Sequence, residues 1–155
     1  MDDHEAEFVE RMARLLVESG LPPVAGRMWA WLLICEPEQQ TAAATAEALH
    51  ASRGSISSAA RLLETAGLIR RTTRRGDRRE YFSLATGSII GLIRARLPIV
   101  AAFRREADHG LELLADRPPE QRTRLQELRD VYSFFEEDLP ASLDRFLASR
   151  KDVPA

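Results

Sequence analysis

Six arginines crowd the thirteen positions of RRTTRRGDRREYF, residues 70–82, in a chain whose formal charge is −2. Guanidinium groups at this density suit paired hydrogen bonds to the oxygens of a polyanion, set against the reading that they are an ordinary solvated edge whose charges protect an exposed strand. From Ser52 to Phe82 the chain carries Arg53, Arg61, Arg70, Arg71, Arg74, Arg75, Arg78 and Arg79 against Glu64, Asp77 and Glu80, a net of +5 that leaves −7 for the remainder. Such asymmetry steers an anionic partner to one face and away from the rest. Just ahead lies SRGSISS, residues 52–58. Its small hydroxyls suit phosphates or base edges. Gly54 would leave a helix start, with its free N–H groups, open to a phosphate.

Other chemistries find less support. There is no GxSxG, no phosphate loop, and the carboxylate pair Glu136 and Glu137 sits on a helical pattern without a cleft, so no enzyme is expected. His4, His50 and His109 are scattered without ligand spacing, so neither a metal nor another cofactor is expected. The single Cys35 excludes an internal disulfide and reads as a packing residue at the end of a buried helix rather than an oxidant sensor. Trp29, Trp31, Tyr132 and Phe135 are candidates for an aromatic cage around a cationic small-molecule effector, set against the reading that aromatics at helical spacing are core. The start MDDHEAEF is acidic and is not read as a secretory signal; the longest apolar run, MWAWLLIC, is too short to span a bilayer, so no membrane partner is expected.

These side chains need elements to hold them. Phe8, Met12, Leu15 and Leu16 recur at helical spacing in a first helix, stopped by Gly20 and two prolines. A second, apolar on nearly all faces, is predicted from Val24 to Glu36 and closed by Pro37. Thr41 is an N-cap for a short alanine-rich helix over 42–49. The next helix spans about 52–66, with Ile56, Ala59, Leu63 and Ala66 on its apolar stripe and Gly67 as its stop. Then the period changes: LIRRTT and RREYFSL flank Arg75, Gly76 and Asp77, a hairpin over about 68–84 with arginines on both arms and the tip. Thr86 is read as the cap of a long helix from Gly87 to Ala115, kinked at Pro98. A last helix starts at Pro118 and Pro119 and is interrupted at Pro140.

Two helices joined by a short turn, the second capped by serine and followed at once by a basic hairpin, define a winged helix-turn-helix. The fold class is therefore mainly α with a small β-hairpin, carrying N- and C-terminal helices whose surplus apolar surface implies a dimerisation layer. The run SRGSISSAARLLETAGLIRRTTRRGDRREYFSL resembles the DNA-binding half of the MarR superfamily, most closely its GbsR-like branch, through the SRGSIS helix start, the LLETAGLI exit and the GDRREYF wing. The upstream GLPPVAGRMWAWLLICEPEQQTAAATAEAL resembles the same branch, so the likeness covers about residues 15–86, and the C-terminal helices match only in being helical. One departure is TAAATAEAL, which has alanine or threonine where larger aliphatics are common.

The resemblance implies a homodimeric regulator of transcription on double-stranded DNA. It places Ser52, Arg53, Gly54, Ser55, Ser57 and Ser58 at the recognition-helix start, and Arg75, Asp77, Arg78 and Arg79 in the wing. It also implies that Asp77 orients Arg75 or Arg79, and, from some members, points to choline-type ligands. Combined with the residue reading, the DNA-binding set is Ser52, Arg53, Gly54, Ser55, Ser57, Ser58, Arg61, Arg74, Arg75, Arg78 and Arg79, with Gly76 and Asp77 shaping the wing turn. The expected organisation is a dimerisation helix over 1–20, the winged domain over 21–86, a helical dimerisation region over 87–150 and a disordered tail over 151–155, in a cytoplasmic, ligand-responsive repressor. The rival from another class is a winged-helix protein–protein adaptor whose basic hairpin docks an acidic partner.

Overall fold

Asp2 starts the chain's first helix, α1 (Asp3–Glu18): its carboxylate accepts from the Glu5 N–H at 2.8 Å while Glu5 accepts from the Asp2 N–H at 2.7 Å. This reciprocal box satisfies two of the N–H groups that a helix start leaves unpaired. The computed structural model describes residues 1–151, so of the expected tail only Lys151 is described, still helical, and 152–155 lie outside the described residues. Two compact units are present, Met1–Gly91 and the segment from Leu92 onward.

In the first unit α1 packs on α2 (Pro23–Leu32). Val9, Ala13 and Leu16 are buried, whereas Leu15 is 58% exposed, so the inward stripe is rotated from the expected Phe8, Met12, Leu15, Leu16. The reason is the close crossing at Gly26, where an added Cβ would lie 3.3 Å from the Ala13 carbonyl oxygen; only small side chains fit there. Helix α2 begins with Pro23, which needs no N–H in a first turn, and buries Ala25, Met28, Trp29, Ala30, Trp31 and Leu32. It ends at Leu32, short of the expected Glu36. The Ile34 and Cys35 N–H groups turn back to the Trp31 oxygen, and the residue before Pro37 is disfavoured in the helical region.

A two-residue strand unforeseen in the sequence, β1 (Gln40–Thr41), leads into α3 (Ala42–Ala48). Thr41 caps α3 through its Oγ1, 3.1 Å from the Ala44 N–H, and the fully buried Thr45 hydroxyl donates to the Thr41 carbonyl at 2.9 Å. The small polar residues of TAAATAEAL therefore pack without orphaned groups. Helix α4 (Arg53–Thr65) buries Ile56, Ala59, Ala60 and Leu63; Ala66, expected on that stripe, caps the C-terminus and is exposed. Gly67 takes φ +70° and turns the chain into β2 (Ile69–Thr73), which pairs antiparallel with β3 (Glu80–Leu84) from Ile69 opposite Leu84 to Thr73 opposite Glu80. Strand β1 joins the other edge of β3, with Thr41 opposite Tyr81, giving the order β1-β3-β2. Phe82, 1% exposed, anchors the sheet to the core.

After α5 (Ser88–Arg94), the second unit comprises α6 (Leu97–Leu113) packed along α7 (Pro119–Lys151). The single kinked helix expected over 87–115 is thus two helices: Pro98 lies in the first turn of α6, where its missing N–H costs nothing. Thr86, expected as a cap, accepts a hydrogen bond from Arg70. Conversely α7 runs through Pro140 without interruption, because one missing hydrogen bond is outweighed by packing along α6. Ala107, Leu111 and Leu143 are buried, Phe103 stacks on Tyr132 at 4.7 Å, and Arg104 is ion-paired with both Asp108 and Glu136. Ile99, Leu113, Val131, Phe134 and Phe135 remain exposed.

Candidate nucleic-acid interface

The outward face of α4 carries the serine-rich start. Ser52 is the N-cap: its Oγ accepts from the Ser55 N–H at 3.1 Å and lies 2.8 Å from the Ser55 Oγ, so these two hydroxyls serve the cap. Arg53, Gly54, Ser57, Ser58 and Arg61 are exposed on the same helix. Arg53 and Arg61 make no ion pair among the described residues. A Cβ at Gly54 would meet only the Ser52 Oγ, at 3.9 Å, so no internal packing requires glycine there.

The wing is a six-residue loop, 74–79, rather than a tight turn between adjoining strands. Gly76 adopts φ +82°, where a side chain would be strained, and the Asp77 N–H closes the turn on the Arg74 oxygen at 3.0 Å. No arginine lies in β3: the expected placement on both arms is corrected to Arg70 and Arg71 in β2 and the other four in the loop.

Within this loop Asp77 selects Arg79, not Arg75. Its carboxylate accepts from the Arg79 Nε at 3.0 Å, the Arg79 Nη2 at 2.8 Å, the Arg79 backbone N–H at 2.9 Å and the Tyr81 hydroxyl at 2.7 Å. Those donors, the Arg79 side chain first, hold the Asp77 carboxyl far below the ordinary carboxylate range, and Asp77 in turn raises the Arg79 guanidinium. Arg74 lies 4.1 Å over the Tyr81 ring and donates to the Gln39 Oε1 at 2.9 Å. Arg71 bridges Glu64 of α4 at 3.1 Å and Glu80 of β3 at 2.9 Å, and its guanidinium is raised by the Glu80 bond above all. Arg71 is thus an internal brace between recognition helix and wing. Arg75 and Arg78 are exposed and make no hydrogen bond or ion pair among the described residues.

Sequence reasoning missed Gln39, Glu64, Glu80 and Tyr81. The hairpin register was the available signal, since it sets Arg71 opposite Phe82 and Thr72 opposite Tyr81.

The aromatic candidates divide between the units. Trp29 and Trp31 are core residues of the first; the Trp29 Nε1 donates to the buried Ser88 Oγ at 2.8 Å, and the Trp31 Nε1 is buried without a partner. In the second, Tyr132 is stacked on Phe103 and Phe135 meets Phe134 edge-on at 5.6 Å. Burial raises the Cys35 thiol, which fits a packing residue. Among the described residues no cluster of three His, Cys, Asp or Glu could hold a metal, and no helix is long and apolar enough to cross a membrane.

A capped helix with an exposed polar face, joined by a brace to a cationic three-stranded wing, defines a winged helix-turn-helix DNA-binding protein. A model of the MarR family matches residues 33–81, and one described as "MmpR5-like MarR family transcriptional regulator" matches residues 87–149. The HTH-type transcriptional regulator MmpR5 of Mycobacterium tuberculosis (strain ATCC 25618 / H37Rv) is 40% identical over 140 residues, spanning 90% of this chain and 85% of that protein. A crystal structure of a transcriptional regulator superposes with a TM-score of 0.70 at 39% identity, covering 94% of this chain and 99% of that one.

The chain belongs to the MarR family of winged-helix transcriptional regulators, in its MmpR5-like group. It is a DNA-binding regulator of transcription. The comparisons support no adaptor role, members of the family are regulators rather than enzymes, and the GbsR-like placement is not confirmed.

Proposed function

We propose that the protein binds a two-fold-symmetric duplex site as a homodimer, with the N-terminal half of α4 in the major groove and the wing on the backbone or in the adjacent minor groove. The observation that carries this reading is the pairing of an exposed α4 face, Arg53, Gly54, Ser57, Ser58 and Arg61, with the unpaired wing cations Arg75 and Arg78. Ser52 and Ser55 contribute by holding the helix start, where free N–H groups favour a phosphate. Arg74 and Arg79 add charge from fixed positions. Exposed apolar residues on α1, α6 and α7, among them Leu15, Phe134 and Phe135, support the assignment of 1–20 and 87–150 to subunit contact. Half-site centres are then about 34 Å apart or a multiple of it.

The sign of regulation proposed is repression in the cytoplasm, relieved by a small-molecule effector. Selection of duplexes from a random pool at fixed ionic strength tests the reading. Enrichment of an inverted repeat bound at two chains per duplex supports it; recovery of unrelated sequences without symmetry overturns it.

A further inference from the structure

We infer that Tyr81 is the positioning residue of the wing, organising both arginines that flank the tip without itself touching DNA. The inference rests on the proposed DNA contact of the wing and goes beyond it by dividing the labour among the wing's charges. Tyr81 is only 6% exposed, and it stands on β3 opposite Thr72 with β1 on its other side, so its backbone is held from both edges. From that fixed point its hydroxyl donates to Asp77 at 2.7 Å, supplying the one hydrogen bond to that carboxylate, among the described residues, that comes from outside the loop. Asp77 then grips Arg79 through the guanidinium and the backbone.

The other end of the loop depends on the same ring. The Arg74 guanidinium lies 4.1 Å from the ring centroid, a cation–π distance, and its Nη2 is tied to Gln39, which sits just before β1. Arg79 is 5.7 Å from the same centroid. A flexible loop with four like charges would otherwise splay, losing its geometry to self-repulsion and chain entropy. Tyr81 and Gln39 fix Arg74 and Arg79 as a frame, and Arg75 and Arg78 between them remain unpaired for phosphates. Ordering the loop before binding lowers the entropy lost on complex formation.

The test uses the full chain, a fluorescently labelled duplex carrying the selected site, and a scrambled duplex, with affinity read by anisotropy across a salt series. Tyr81→Phe keeps the ring and all charges and removes only the hydroxyl. Gln39→Ala releases Arg74 at a site remote from the ring. Each is expected to weaken the selected duplex by about tenfold, the scale of one hydrogen bond to a charged group, with the salt slope unchanged because no cation is removed. In the NMR spectrum the Arg79 Nε–H, which donates to Asp77 in the parent, is expected to exchange faster with water and broaden in Tyr81→Phe. Arg75→Ala/Arg78→Ala serves as the reference for DNA contact and flattens the slope. If that reference variant binds less tightly while Tyr81→Phe and Gln39→Ala bind as the parent does, the positioning role is overturned. A reduced salt slope in Tyr81→Phe overturns it too. If the reference variant itself binds normally, the wing contact fails instead.

Discussion

Replacing Gly54 by alanine separates folding from DNA binding at one atom. The new methyl would sit 3.9 Å from the Ser52 Oγ and touch nothing else, so the folded protein accommodates it without strain. Alanine is favoured over glycine by about 1 kcal/mol inside a helix, and by roughly half that near a terminus, so the melting temperature should rise by about 1 to 2 °C. In the proposed docking on DNA, the same methyl stands where a phosphate approaches the first N–H groups of α4. Pushing that phosphate out of hydrogen-bonding range loses about 1.5 kcal/mol or more for a charge-assisted bond. Over two half-sites the loss is about 3 kcal/mol, on the order of a hundredfold in affinity. Thermal melting and anisotropy on the same preparation read both quantities. A gain in stability with unchanged affinity would refute the docking of the α4 start. Gly26→Ala is the contrast: its methyl would press on the Ala13 oxygen at 3.3 Å, so stability should fall by about 1 to 3 kcal/mol with no specific effect on DNA.

Other outcomes follow from the same geometry. Arg75→Ala/Arg78→Ala should make the dependence of log affinity on log salt shallower by about 0.9 for each phosphate that is no longer neutralised, as measured by anisotropy between low and moderate salt. Asp77 has a lowered folded-state pKa, so its stabilisation is complete above its unfolded value of about 3.9 and is lost progressively as pH falls from there through the folded value. The difference in urea stability between the parent and Asp77→Asn should therefore be flat from pH 8 to about 5 and shrink in more acid solution. Phe82→Ala should cost about 3 to 5 kcal/mol in chemical denaturation, because this ring is 1% exposed at the junction of sheet and core.

Much of the winged lobe was legible in the chain because its signals are local. Ser52 three residues ahead of Ser55, Gly67 after the last turn of α4, and Gly76 with Asp77 between two β-rich runs each act within a few residues of backbone. Where the reading slipped, the deciding force was remote. Periodicity in α1 placed Leu15 inward with Leu16, whereas the Gly26 crossing brings Ala13 and Leu16 against α2 and leaves Leu15 exposed. Pro140 reads as a breaker on its own, yet α7 continues because α6 lies along it. At Pro98 the same residue type marks a helix start, a distinction that depends on which turn it occupies.

The DNA-binding face shows the same division. Residue types and their spacing determined that a cationic wing follows a serine-capped helix, since charge density and capping need only the order of residues. Which arginine does what was decided by tertiary structure: Arg71 braces α4 to β3, Arg74 and Arg79 are held around Tyr81, and Arg75 and Arg78 are left unpaired among the described residues. An ion pair or a ring contact exists only when register and loop closure bring distant positions within a few ångströms, and one run of identical side chains in sequence carries no record of that.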